Sequence, residues 1–132
     1  MTLLLLCLFI ATLMPILAKV PLAYAQNKQE GGYNNKEPRA QQASLTGFGA
    51  RARAAHENCF EALTMFAPGL LACIATNTTG PLIVNLAITF VVARTVYLFA
   101  YWFNIHLLRS SAWLVGFAVS LALIYFALPQ SM

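Results

Sequence analysis

The chain has 132 residues, of which 60% are hydrophobic and 9% charged, with a formal net charge of +4. A soluble globule carries about a quarter charged residues, so this composition excludes that class and indicates a membrane protein in a lipid bilayer. Five of the cations, Lys28, Lys36, Arg39, Arg51 and Arg53, gather in one stretch, which speaks against a nucleic-acid partner.

The first apolar run, residues 2–24, is nearly continuous Leu, Ile, Phe, Met and Ala. Two readings compete. One is a transmembrane helix with a kink at Pro15 and Lys19 snorkelling to the interface. The other is a signal peptide cleaved at Ala23-Tyr24-Ala25. No basic residue precedes Lys19, and cleavage would place the basic stretch outside the membrane, against the positive-inside rule. The helix is therefore the expectation.

Residues 25–45 form a polar connector with Gly31-Gly32, Asn34-Asn35 and Pro38. It is too long for a hairpin turn and too short for a domain. Residues 34–39 either fold over the polar end of the next helix or stay solvated, with Lys36 and Arg39 available to anionic headgroups.

The second membrane helix is expected over 46–76, kinked at Pro68, with a polar first part from Arg51 to Glu61. Arg51, Ala54, Asn58 and Glu61 recur at helical spacing on one stripe, and Arg53 and Glu57 form a second. A carboxylate this close to hydrocarbon is paired or functional by default. Glu57 and Glu61 are one turn apart, so their repulsion calls for a cation from Arg51, Arg53 or Arg94. His56 reads as a polar residue at the helix entrance rather than as a base.

Asn77 to Gly80 is a short uncharged turn, and Asn77-Thr78-Thr79 is formally a glycosylation sequon. Pro81 is suited to open the third helix, expected over 81–105. Residues 106–111 are then a tight turn carrying Arg109. The fourth helix is expected over 111–128, ended by Pro129. The whole is an all-α, up-down-up-down bundle of four membrane helices in a single domain, residues 1–132. Lysine and arginine asymmetry places the connector and the Arg109 turn in the cytoplasm and both termini outside.

Depth can be counted along the helices. Arg94 is thirteen residues from Pro81, ~20 Å into a hydrocarbon core ~30 Å thick. Tyr97 from one side and Glu61 from the other both come to ~24 Å. Arg94, Tyr97, Tyr101 and Asn104 share one helix face. An unpaired arginine there costs several kcal/mol, by order of magnitude, which leads to a polar pocket between the second and third helices. A structural Arg94–Glu61 brace accounts for the same residues. Cys7, Cys59 and Cys73 match no CxxC or zinc spacing, so free thiols and no metal site are expected.

At these residues the chain resembles the MAPEG family, the membrane-associated proteins of eicosanoid and glutathione metabolism, in its bacterial-type members. The family's Arg-Ala-x-x-Asn-x-x-Glu frame is filled by residues 54–61, with Asn58 and Glu61 in place and Ala54 where the arginine stands. Its Arg-x-x-Tyr-x-x-x-Tyr is matched by Arg94, Tyr97 and Tyr101. The resemblance implies a homotrimer with glutathione as co-substrate at the cytoplasmic end of each subunit interface, and a lipophilic small-molecule electrophile arriving through the lipid. It places Asn58, Glu61, Arg94 and Tyr97 against glutathione, with Arg51 or Arg53 standing in for Ala54 and His56 beside them. Catalysis falls to Tyr101 and to an arginine that keeps the thiol ionised. That arginine belongs at Leu108; Arg109 is one residue later and takes the role if the third helix has already ended. The enzyme implied is a glutathione transferase or peroxidase in a bacterial inner membrane. A non-enzymatic structural or lipid-binding bundle and a small multidrug exporter are the other readings; an exporter of that kind has an acid in its first helix and short loops, unlike this chain.

Overall fold

The computed structural model describes residues 1–128. It holds five helices: α1 (Thr2–Asn27), α2 (Pro38–Ala43), α3 (Gly47–Ala75), α4 (Pro81–Trp102) and α5 (His106–Ala127), with no strand among the described residues. Four of them, α1, α3, α4 and α5, are long and apolar enough to cross a membrane, and the chain is an integral multi-pass membrane protein. Leu4 at the start of α1 packs in one core with Cys73 at the end of α3, Ile83 at the start of α4 and Ala127 at the end of α5. Successive spans therefore run in opposite directions.

α1 shows how little side chain such packing needs. Its buried positions include Leu4, Cys7, Ala11, Met14, Ala18 and Leu22, spaced three or four apart on one stripe, while Leu5, Phe9, Ile16 and Val20 are exposed. Lipid is as apolar as leucine, so membrane helices associate through close approach at small residues. Gly69 makes one such approach. A Cβ there would lie 3.2 Å from the Ser120 carbonyl oxygen and 3.3 Å from the Ile124 nitrogen, so the backbones of α3 and α5 nearly touch. One turn on, the Cys73 thiol donates to the Leu123 carbonyl at 3.1 Å. Phe66 and Phe90 stack at 3.8 Å and 5° between α3 and α4. The helices run unbroken through Pro15, Pro21 and Pro68.

Two asparagines set the helix ends. Asn77 and Asn104 both have positive φ, 57° and 60°. After each, the next amide bonds back to the carbonyl five residues earlier, Thr78 to Cys73 and Ile105 to Ala100, both at 2.8 Å. This is the Schellman closure, in which the left-handed residue satisfies carbonyls that the helix leaves open. The second closure differs from the sequence reading. The third membrane helix stops at Trp102 rather than 105, Asn104 caps it instead of extending its polar face, and the fourth begins at His106 rather than 111. Pro129, expected to end that helix, lies outside the described residues.

The connector is also more ordered than a solvated loop. Gln26, 0% exposed, is its anchor. Its amide nitrogen donates to the Gln41 side-chain oxygen at 3.1 Å and the Pro38 carbonyl at 3.3 Å. Its amide oxygen accepts from Lys19 Nζ at 3.1 Å and Gln42 at 3.4 Å. Gln41 in turn donates to the carbonyls of Gln26 and Gly32. α2, unforeseen within the polar stretch, exists because Pro38 opens it and Gln41 and Gln42 tie it to α1.

Candidate functional site

Arg94 is 2% exposed, in the interior of α4. Its Nη2 donates to Asn58 Oδ1 at 2.8 Å and, more weakly, to the Asn58 carbonyl at 3.4 Å. Asn58 Nδ2 donates to Glu61 Oε2 at 2.6 Å. The direct Arg94–Glu61 pair of the sequence reading is thus replaced by a relay. The amide of Asn58 both accepts and donates, so it satisfies a buried cation on one side and a carboxylate on the other. Glu61 itself is exposed, one turn away along α3, and lies beyond Asn58 in the chain of bonds.

The Arg94 guanidinium also lies over the Tyr97 ring, 3.9 Å from its centroid. Tyr97 and Tyr101 meet edge to face at 5.5 Å. The guanidinium of Arg109 covers the Tyr101 ring at 4.5 Å. This contact depends on the closure at Asn104: α4 has ended, the chain has turned back, and Arg109 sits in the first turn of α5 facing the last turn of α4. A cleft of about 200 Å³ opens among Asn58, Tyr97, Tyr101, Arg109, Ser110 and Trp113. One cation, Arg109, one amide, Asn58, and the rings of Tyr97 and Tyr101 therefore border one space, with Arg94 buried behind Asn58 and Tyr97 and Glu61 bonded to Asn58 from outside the lining.

Of the residues singled out in sequence, Asn58, Glu61, Arg94, Tyr97, Tyr101 and Arg109 form this connected group. Arg51, Arg53 and His56 do not join it. Arg53 pairs with Glu57 at 2.8 Å on the exposed side of α3 and supplies the cation that Glu57 needs. Arg51 is partly buried, and its Nε has no hydrogen-bond partner. His56 is two residues from Asn58, about 200° round the helix, and faces α1 instead. Its Nδ1 lies 2.8 Å from the Pro15 carbonyl, which can only accept, so Nδ1 carries the hydrogen. His56 lines a second cleft of about 340 Å³ together with Lys19, Tyr33, Arg39, Gln42 and Phe60. Ser110 was missed in sequence because it fell in the expected turn, and Trp113 because a helix starting at 111 gives it no partner one turn earlier. From His106 onward, Arg109 and Trp113 are i and i+4 on one face. Among the described residues no three His, Cys, Asp or Glu side chains gather as a metal site, and Cys7, Cys59 and Cys73 are free and buried.

The family model described as MAPEG family matches residues 3–129, nearly the whole chain. No curated protein and no solved structure matches it.

Proposed function

We propose that this chain, which belongs to the MAPEG family, is a membrane-bound glutathione-dependent transferase or peroxidase acting on lipophilic electrophiles. The observation that carries the reading is the cleft lined both by Asn58, the middle of the Arg94–Asn58–Glu61 relay, and by the Arg109–Tyr101 stack. Glutathione carries two carboxylates, an ammonium and a thiol. Asn58 presents its amide to the charged ends, with the exposed Glu61 carboxylate one turn on for the ammonium, and the Arg109 guanidinium is the group available to its sulfur.

The chemistry that follows is nucleophilic. A free thiol titrates near ~8.5, and an adjacent guanidinium favours the thiolate. The thiolate lone pair forms the new carbon–sulfur bond while the electrophile's bond to its leaving group, or the strained ring bond, takes its electrons away. Tyr101 holds Arg109 on its ring face and lines the same space.

A homotrimer is part of the proposal. The cleft of about 200 Å³ is smaller than the about 300–1,000 Å³ that encloses a drug-sized ligand. Glu61 is exposed on a membrane-spanning helix with no cation bonded to it directly, where an uncovered carboxylate is costly. A neighbouring copy covers it, and the Lys19, Arg39 and His56 cleft on the other side of α3 is what that copy can bring. The reading puts the site at the cytoplasmic side of a bacterial inner membrane and both termini on the opposite side, from the positive-inside rule. A non-enzymatic bundle has one observation in its favour: Arg94, Asn58 and Glu61 satisfy one another without a ligand.

Calorimetry on detergent-purified protein, with S-hexylglutathione as competitor, tests the reading. Saturable glutathione binding, accompanied by a thiolate difference band near neutral pH, is the expected result. Binding without the band makes the protein a binder rather than a transferase, and no binding leaves the bundle reading standing.

A further inference from the structure

We infer that Gly116 is a positioning residue: its missing side chain is the space through which the stem of Arg94 reaches Asn58. The inference rests on the reading of the Asn58 cleft as the glutathione site. Gly116 is buried in α5, the one glycine in that helix. Glycine is a poor helix former, so at the middle of a span it needs a packing reason. Here a Cβ would lie 3.2 Å from Arg94 Cδ, tighter than side chains normally pack, with two Phe90 ring carbons at 3.9 Å.

What must yield to such a methyl follows from the neighbours. Phe90 is stacked flat on Phe66 at 3.8 Å and cannot swing aside. α5 cannot back away easily, because its backbone at Ser120 and Ile124 is already against Gly69 and its Leu123 carbonyl holds the Cys73 thiol. The Arg94 guanidinium is fixed at its far end by Tyr97, 3.9 Å away, and by Asn58 at 2.8 Å. The stem is the compliant part, and a displacement of a few tenths of an ångström at Cδ is passed to the short bond with Asn58. Gly116 thus touches no ligand; it sets where Asn58 presents its amide to one, through Arg94.

The test is a cycle of four proteins, wild type, Gly116→Ala, Asn58→Ala and the double variant, each measured for glutathione affinity by calorimetry and for thermal midpoint, with Gly69→Ala as a packing control. Gly116→Ala is expected to weaken glutathione binding about tenfold in the wild-type background and to add nothing once Asn58 is alanine. Gly69→Ala is expected to lower the midpoint without that selective loss of affinity. An unchanged affinity in Gly116→Ala, or an equal loss in both backgrounds, overturns the inference. If wild type binds no glutathione, the functional reading fails by itself and the midpoints decide this one: non-additive shifts for Gly116→Ala and Asn58→Ala support the coupling, and additive shifts overturn it.

Discussion

Replacing Asn58 with alanine probes the point on which most of the site depends. The change removes the 2.8 Å acceptor of a buried guanidinium and the 2.6 Å donor to Glu61 together. A hydrogen bond to a charged group contributes about 1.5–3 kcal/mol. Arg94 keeps its 3.4 Å bond to the Asn58 carbonyl and the face of Tyr97, so the loss falls short of the full cost of an orphaned arginine in hydrocarbon. A destabilisation of about 2 kcal/mol is expected, which on the scale of soluble domains is a drop of about 6–10 °C in Tm. Thermal unfolding in detergent, followed by tryptophan fluorescence, measures it. The cycle of Arg94→Leu with Asn58→Leu should be strongly non-additive, the double variant being milder than the worse single one, because it leaves no polar group stranded. The corresponding cycle of Arg94 with Glu61 should show the smaller coupling, since Glu61 is exposed and acts through the amide. A Tm within a degree of wild type for Asn58→Ala, or a larger coupling for Arg94–Glu61 than for Arg94–Asn58, refutes the relay.

Three further outcomes are expected. In Arg109→Ala the pH–rate profile for conjugation should move to higher pH by roughly one unit or more, because the thiolate is the reactive form and loses the cation that favours it; activity then falls off earlier as pH is lowered, and an unmoved profile removes Arg109 from the chemistry. Gln26→Leu takes the acceptor from Lys19 and Gln42 and the donor from Gln41 and the Pro38 carbonyl, at a cost of about 1–3 kcal/mol, so trypsin should cut at Lys28, Lys36 or Arg39 at least several-fold faster, while equal rates would show that the connector is not held there. A reporter fused after Met132 should read as non-cytoplasmic, and a cytoplasmic signal reverses the assignment of the cleft to the cytoplasmic face.

The four spans were legible because their apolar runs are long and their turns carry Pro and Asn, signals that depend on local chemistry alone. The level of Arg94 and Glu61 was legible by counting, since rise per residue is constant in a helix. Which group bonds to which was not. Two charges at one depth suggested a pair, but the Arg94 side chain reaches to Asn58, whose two-sided amide a direct contact would have left unused. α2 was hidden because six residues with only two alanines and a proline among them have no apolar period to read; it is held by side-chain bonds to Gln26. His56 and Arg53 fell within a polar stretch that helical geometry then divided among three faces of α3.

The position of Arg109 carries the more general point. Counted along one continuous helix, a residue displaced by one is turned about 100° away from its role. The count applies only while the helix lasts. α4 ends at Trp102, Asn104 takes the left-handed conformation that asparagine tolerates better than most residues, and the Ile105 amide closes back on Ala100 at 2.8 Å. Beyond that turn the facing of Arg109 is set by α5, not by its distance from Tyr101 in sequence. Its guanidinium lies 4.5 Å over the ring of Tyr101, whereas Leu108 lines the groove on another side of the α4–α5 pair with Val92 and Val96. Across such a turn, sequence spacing alone therefore does not fix which face a side chain takes; the turn and the next helix do.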